Sequence, residues 1–369
     1  MISSASDEPN LDLSVLGWSS ARQRALDARL AEDTGLLEVL SRSNGAESLA
    51  LGRVAVEHRG FYDVLGLGDG PLELTEGAAV TPVLRRSVEG PTDFPAVGDW
   101  VVIEPFGGAN RSHAIHHVVD RSSLFVRRAP GREPKPQVVG ANIDLVFIVS
   151  SLDGDLNPRR LERYLAVVWG GGARPVVVLS KSDRVDSTSG AEALVASVAG
   201  GVDVVVASAA TGEGIDDVQA HVPLGVTAAL VGSSGVGKSS IINRLLGDEV
   251  QQVAATQRDG RGRHTTIRRH LLPLPSGGLM VDTPGMREVQ LWDGAGLPSV
   301  FPEIWDAAEQ CRFADCSHRD EPDCAVRSAL RSGDIDIDRM EGLERLTDEL
   351  DDLEAEVERR RRGRRDPRR

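Results

Sequence analysis

Long apolar runs are missing from this sequence of 369 residues, none approaching the ~18–20 consecutive apolar residues that a membrane span needs. The opening MISSASDEPNLDLSVLG lacks the basic start and apolar run of a secretory signal, so the expectation is a cytoplasmic protein with no membrane partner. Cysteine is scarce and odd in number, three in all, which excludes a complete disulfide framework. Aromatic residues make up 4% against 40% hydrophobic residues, values that still exclude a collagen-like, disulfide-dense or wholly disordered chain. Basic residues are outnumbered 42 to 56, and a net charge of −14 argues against a general nucleic-acid coat. The shortage is uneven, because eight arginines and one aspartate lie between Arg359 and Arg369. That basic end is either a solvated tail or one local anionic contact.

The length allows two or three domains, each with its own core. Residues 1–42 read as a polar, partly helical extension. From Ala50 to Pro105 short β-rich runs separated by Gly and Pro predict a small β-barrel of the OB type, over about 43–126. Phe61 and Tyr62, beside His58 and Arg59, either stack on nucleic-acid bases or pack the barrel. Beyond Gly140 the runs IDLVFIVS, PVVVLS, DVVVAS, VTAALVG and GLMVD are continuously apolar and mostly separated by helical stretches such as PRRLERYLAVVW. That texture predicts a parallel sheet covered on both faces, an α/β nucleotide domain over about 127–295. An aromatic helix, the three cysteines and a helix with a stripe at Leu343, Leu346, Leu350, Leu353 and Val357 follow in 296–358, the stripe reading as a packing seam. Residues 359–369 form the basic tail.

Three motifs carry chemistry. The strand VTAALVG runs into Gly232, Ser233, Ser234, Gly235, Val236, Gly237, Lys238, Ser239 and Ser240, a G-x-x-x-x-G-K-[ST] loop followed by the helical IINRLLG. Glycines let the backbone wrap phosphates, Lys238 reaches the β and γ oxygens, and Ser239 ligates Mg²⁺. The strand GLMVD ends in DTPG, where Asp282 can hold Mg²⁺ through water and Gly285 faces the γ-phosphate. Between them lies GRGRHTTIRR, in which Thr265 or Thr266 can complete the Mg²⁺ shell. PVVVLS ends in SKSD, whose Lys181 and Asp183 match the K-x-D of guanine-specific GTPases. A carboxylate there accepts both N1–H and the exocyclic amine of guanine, a donor pair that adenine does not offer. Ser208 and Ala209, after DVVVAS, resemble the S-A-x loop that backs the base. Separately, Cys311, Cys316, His318 and Cys324 form C-x4-C-x-H-x5-C, a closed donor set for one structural Zn²⁺. The alternative there is three buried free thiols.

The base motifs at residues 180–214 precede the phosphate loop at 232 and the DTPG at 282, the reverse of an ordinary Ras-like chain, so the order is circularly permuted. Together with HRGFYDV, VGDWVVIE, NIDLVFIVSSLDGDLNPRRLERYL and GRHTT, it resembles the bacterial ribosome small-subunit-dependent GTPase A family (RsgA, also called YjeQ) over about residues 45–330. The resemblance implies an N-terminal OB barrel, a permuted P-loop GTPase domain and a C-terminal zinc-binding helical domain. It also implies GTP hydrolysis to GDP in late maturation of the 30S subunit, stimulated by that subunit and its 16S rRNA; a monomer is expected.

This sequence has Ser180 where most GTPases place Asn, which predicts a weaker base contact and a weaker tie to the phosphate loop. Met286 follows DTPG where Ras-like enzymes carry the water-orienting glutamine. By resemblance His264 takes that catalytic role, with Lys238, Asp282 and Gly285 completing the site; the other reading of His264 is an exposed switch histidine. The rival functions are a P-loop ATPase or nucleotide kinase with a structural zinc site, and a non-catalytic RNA-binding module.

Overall fold

The computed structural model describes residues 11–32, 50–67, 72–103, 113–128, 136–247, 270–282 and 291–365. Its first body is a ring of five strands: β1 (Ala50–Glu57), β2 (Tyr62–Leu67), β3 (Leu72–Val80), β4 (Trp100–Ile103) and β5 (Ala114–Val118). Antiparallel pairs β1–β2 and β2–β3, the parallel pair β3–β5, and antiparallel pairs β5–β4 and β4–β1 close it, so the barrel has no free edge. Val54, Val64, Ala78, Val101, Ile103 and Ile115 fill the interior. Tyr62 belongs with them at 7% exposure, which decides its two readings in favour of packing, whereas Phe61 is 42% exposed. Neighbouring residues of a strand point to opposite sides, and Tyr62 is the first residue of β2. Phe61 ends the turn and lies flat on His58, ring centroids 4.4 Å apart.

A ribbon of β6 (Leu124–Arg128) and β7 (Pro136–Ala141) leads into the second body. There β8 (Leu145–Ser151), β9 (Arg174–Ser180), β10 (Asp203–Ala207), β11 (Thr227–Val231), β12 (His270–Pro273) and β13 (Leu279–Asp282) lie in the order β10-β9-β8-β11-β13-β12. The first five in that order are parallel and β12 is antiparallel to β13. Every residue of β8 and β11 is buried, as continuous apolar runs between two helical layers require. One face packs on helices Pro158–Gly170 and Ser189–Val198, the other on Ile215–Ala220 and 238–247. β12, a four-residue strand that the apolar pattern did not single out, also pairs with β1 at Val56 and His270, joining sheet to barrel.

Residues 11–32, which looked like a plain extension, are pinned at that joint. Leu13, Leu16 and Leu26 are buried, and Trp18 sets its edge on Trp100 at 4.8 Å. Gly17, at φ +85°, leaves no room for a side chain, since a Cβ would stand 2.5 Å from the Gly225 carbonyl oxygen. Arg53, a strand residue with its side chain fully buried, donates to the carbonyls of Gly98 (3.1 Å), Asn142 (2.9 Å) and Leu16. Burial pulls its guanidinium down to about 9, with Arg22 adding to the effect and Asp144 and Asp99 opposing it. Asn142 in turn donates to Gly98 O at 3.2 Å and accepts from Arg22 at 2.8 Å. Two side chains thus hold three stretches of chain.

The C-terminal helices Leu297–Val300, Pro302–Ala308, Ala325–Ser332 and Ile337–Arg365 follow, the first and last docking on Pro158–Gly170 and Pro302–Ala308 packing on Leu297–Val300 and Ala325–Ser332. Arg339 bonds Glu162 at 2.9 Å and Glu303 at 2.8 Å and covers Phe301, while Arg163 bonds Glu349 at 2.7 Å. Leu343 and Leu346 are buried and Leu350 packs on the core, so the stripe is a seam, with Leu353 and Val357 half-buried beyond it. The last helix runs through Arg365, which makes much of the arginine-rich stretch helical. Among the described residues no helix is long and apolar enough to cross a membrane.

Replacing Arg53 by Ala strands the Leu16 and Asn142 carbonyls, with Gly98 O keeping its bond from Asn142, and should lower the stability of the barrel–sheet joint by about 2–4 kcal/mol. Urea unfolding followed by tryptophan fluorescence reads this, since Trp18 and Trp100 lie at the joint; a curve shifted by less than about 1 kcal/mol would show that the carbonyls find other donors.

Candidate functional site

The phosphate loop leaves the buried end of β11 between β8 and β13. Gly232 has φ +141°, and a Cβ there would lie 2.2 Å from Val149 O, so the chain turns away from the sheet only with glycine. Gly235 and Gly237 also have positive φ. Val236 is buried and anchors the loop in the core, while Ser234, Gly235, Ser239 and Ser240 are exposed. Lys238 opens helix 238–247 and donates to Gly232 O at 2.6 Å and Ser233 O at 2.5 Å.

β9 delivers the SKSD motif to the same edge. Ser180 is buried, and its hydroxyl donates to Val236 O of the phosphate loop at 2.6 Å, with Ser150 O at 3.3 Å as a longer acceptor. The tie to the phosphate loop that serine was expected to weaken is therefore present; a hydroxyl one bond shorter than an asparagine amide still reaches. Lys181 adopts φ +61° and its ammonium bonds both carboxylate oxygens of Asp153, at 2.9 and 3.1 Å. Hydrogen bonds from Ser151 and then Lys181 hold the Asp153 carboxyl down at about 2. Asp183 accepts from the hydroxyl of the fully buried Ser208, whose Oγ also accepts from the Thr211 N–H at 3.2 Å. Arg244, from the phosphate-loop helix, donates to the carbonyls of Ala209 (2.8 Å) and Ala210 (3.0 Å). The loops bearing Asp183, Ser208 and Ala209 and the phosphate loop thus form one bonded rim at the carboxyl ends of parallel strands, where α/β sheets bind ligands. Asp282 ends β13 at that edge, opposite His270 in the neighbouring strand. His264, Thr265, Thr266 and Gly285 lie outside the described residues.

The second cluster unites Cys311, Cys316, His318 and Cys324, whose donor atoms all lie within 4.8 Å of one another. Cys311 Sγ and Cys324 Sγ are 3.8 Å apart, and His318 Nδ1 lies 3.6 and 3.5 Å from them. A tetrahedral zinc with bonds of about 2.3 Å to sulfur and 2.0 Å to nitrogen needs donor separations of about 3.8 and 3.5 Å. All three cysteines are free thiols, so the donor set suits such an ion. Cys324 caps helix Ala325–Ser332, accepting from the Arg327 N–H. For Cys311 burial pushes upward, but N–H groups of Val326 and Ala325 and the neighbouring thiols carry it below the ordinary thiol value.

Comparison with known proteins decides the family. A model described as RsgA GTPase matches residues 118–292. The small ribosomal subunit biogenesis GTPase RsgA 2 of Lactiplantibacillus plantarum is 41% identical over 312 residues, covering 84% of this chain and 85% of its own. The chain belongs to the RsgA GTPase family. YjeQ from Thermotoga maritima superposes with a TM-score of 0.60 at 27% identity, covering 82% of this chain and 98% of YjeQ. YloQ, described as a circularly permuted GTPase, gives 0.59 at 22% identity over 84% of this chain and 97% of its own, a likeness of fold.

Motif reading missed Asp153, Arg244 and Arg160, the last bonded to Ser233. Asp153 lies in the segment after a strand's carboxyl end, and that placement, rather than any motif, was the signal available. Arg244 looked like an ordinary helix-surface residue.

Zinc analysis of freshly purified, reduced RsgA-family protein of this sequence should find about one ion per chain, and chelation should unfold the C-terminal helices while nucleotide binding largely survives. No zinc in such a preparation would leave the cluster as free thiols. Asp153→Asn should weaken GDP binding about two- to fivefold by freeing Lys181; calorimetric titration with an unchanged affinity would mean that the pair does not order the base loop.

Proposed function

We propose that this chain hydrolyses GTP to GDP and phosphate in late maturation of the 30S ribosomal subunit, and that the subunit with its 16S rRNA stimulates the reaction. The observation that carries this reading is the hydrogen-bonded rim that joins Asp183, Ser208 and Ser180 to the phosphate loop in permuted order. Family membership supports it, since the curated relative above carries small-subunit biogenesis in its name.

In this reading the barrel at 43–126 and the basic end at 359–369 meet RNA, 127–295 turns over the nucleotide, and 296–358 folds around one Zn²⁺. The protein works as a cytoplasmic monomer. Asp183 accepts the guanine N–H groups and Lys181 lines the base. Lys238 reaches the β and γ oxygens, and Ser239, Thr266 and Asp282 would hold the Mg²⁺ that accompanies GTP. Gly285 presents its N–H to the γ-phosphate. His264 orients the attacking water, a task for which Met286 has no polar group. Charge builds on the phosphoryl oxygens in the transition state, so preorganised donors in the loop supply the larger part of the acceleration.

GTPase activity with and without purified 30S subunits tests the proposal. Phosphate release should rise on adding subunits, with GTP preferred over ATP, and Asp183→Asn should shift preference toward xanthosine triphosphate. Equal turnover of ATP and GTP would favour the ATPase or kinase reading; binding of GTP with no phosphate release would favour a non-catalytic RNA-binding module. His264→Ala should depress stimulated hydrolysis about 10²-fold with nucleotide affinity nearly intact.

A further inference from the structure

Against the phosphate loop lies a polar cluster, within the NIDLVFIVSSLDGDLNPRRLERYL segment, to which motif reading gave no role. Asn157 caps helix Pro158–Gly170, its Oδ1 accepting from the Arg160 N–H at 3.2 Å, so the backbone of Arg160 is fixed in the first turn. The Arg160 guanidinium then bonds in two directions, to Asp155 Oδ1 and to the hydroxyl of Ser233, the second residue of the phosphate loop. A hydroxyl that accepts from Arg160 keeps its own proton to donate, and Tyr164, one helical turn on, is hydrogen-bonded to that Ser233 side chain. Burial raises the Tyr164 phenol, and Arg160 and the Ser233 hydrogen bond oppose the rise. The other oxygen of Asp155, Oδ2, is buried with no partner among the described residues. Buried polar groups are normally satisfied, so a carboxylate left half-bonded beside a phosphate loop calls for a reason.

Ser233 is gripped from both sides. Lys238 holds its carbonyl at 2.5 Å, and Arg160 holds its hydroxyl. An ammonium has three donors, so a Lys238 that reaches the β and γ oxygens divides them between phosphate and the carbonyls of Gly232 and Ser233, and its hold on the loop weakens. The arginine tether holds the Ser233 hydroxyl instead, is charge-anchored by Asp155 and is carried by a capped helix, so it stays.

We infer that Arg160 is a positioning residue for phosphoryl transfer: through Ser233 it keeps the phosphate loop in its catalytic shape while Lys238 divides its donors between loop and nucleotide. The inference rests on the GTP-hydrolysis reading above. The same helix carries Glu162 and Arg163, which bond Arg339 and Glu349 of the C-terminal helix at 2.9 and 2.7 Å, so the element that fixes the loop is itself clamped from the other side.

A double-mutant cycle in the full-length protein tests it, with kcat and KM for GTP measured in the presence of 30S subunits and GDP affinity measured alongside. Arg160→Ala and Ser233→Ala should each lower kcat about tenfold with GDP affinity changed less than about threefold. The double variant should be no worse than either single one, because both remove the same contact. Arg160→Lys, whose ammonium can still bridge Asp155 and Ser233, should recover most of the rate. Retained GDP binding shows that each variant is folded. A wild-type rate for Arg160→Ala, or losses that multiply to about a hundredfold in the double variant, would overturn the inference while leaving the GTPase reading intact. Failure of the wild-type protein to hydrolyse GTP would instead remove that reading and this one with it.

Discussion

Parallel pairing of β11 between β8 and β13 is the constraint on which the rest of the molecule depends. A parallel sheet turns all its strand ends the same way, so the loops after β9, β10 and β11 and Asp282 at the end of β13 gather on one edge regardless of order along the chain. Permutation changes which loops are cut and leaves strand neighbours alone. That is why the base motifs can precede the phosphate loop by some fifty residues and still bond to it, as the Ser180 hydroxyl does to Val236 56 residues on.

The same geometry explains what could be read in advance. Strands covered on both faces are written as unbroken apolar runs, and five of the six strands in the sheet announced themselves that way. Barrel strands were visible as short runs between turn residues. β12 was not, being four residues long and ending in proline. The role of residues 11–32 was hidden for a different reason: their anchors are single side chains meeting backbone carbonyls far away, such as Leu16 with Arg53 and Arg22 with Asn142. An arginine in a strand looks solvated until three carbonyls from separate segments surround it. At the nucleotide rim the motif residues were legible because phosphate and guanine chemistry fix their types, while Asp153 and Arg160 act on other residues and carry no signature.

Electrostatics divides along the same line. At the barrel–sheet joint the Arg53 guanidinium is deeply buried and bonded to neutral carbonyls, and burial lowers its basicity. In the C-terminal layer burial raises the Glu162 carboxyl even though Arg339 pulls the other way. Exposed Asp153, by contrast, is acidified by direct donors. Buried pairs of the first two kinds specify how segments meet more than they stabilise; the exposed pair orders a loop whose ligand must come and go.

The pinning of residues 11–32 also bears on how the chain is born. Arg22 finds its acceptor on Asn142, 120 residues later, and β1, already paired with β2, gains its partner in the sheet only at His270. On a ribosome the N-terminal segment therefore leaves the exit tunnel with none of these partners yet made, and the barrel can close before anything holds it to the sheet. The contacts that fix the segment to the sheet, the bond to Asn142 and the close approach of Gly17 to Gly225, become possible only after the barrel strands have been made. A segment first to be made is among the last to be seated, and its excess of acidic residues favours solubility in the interval.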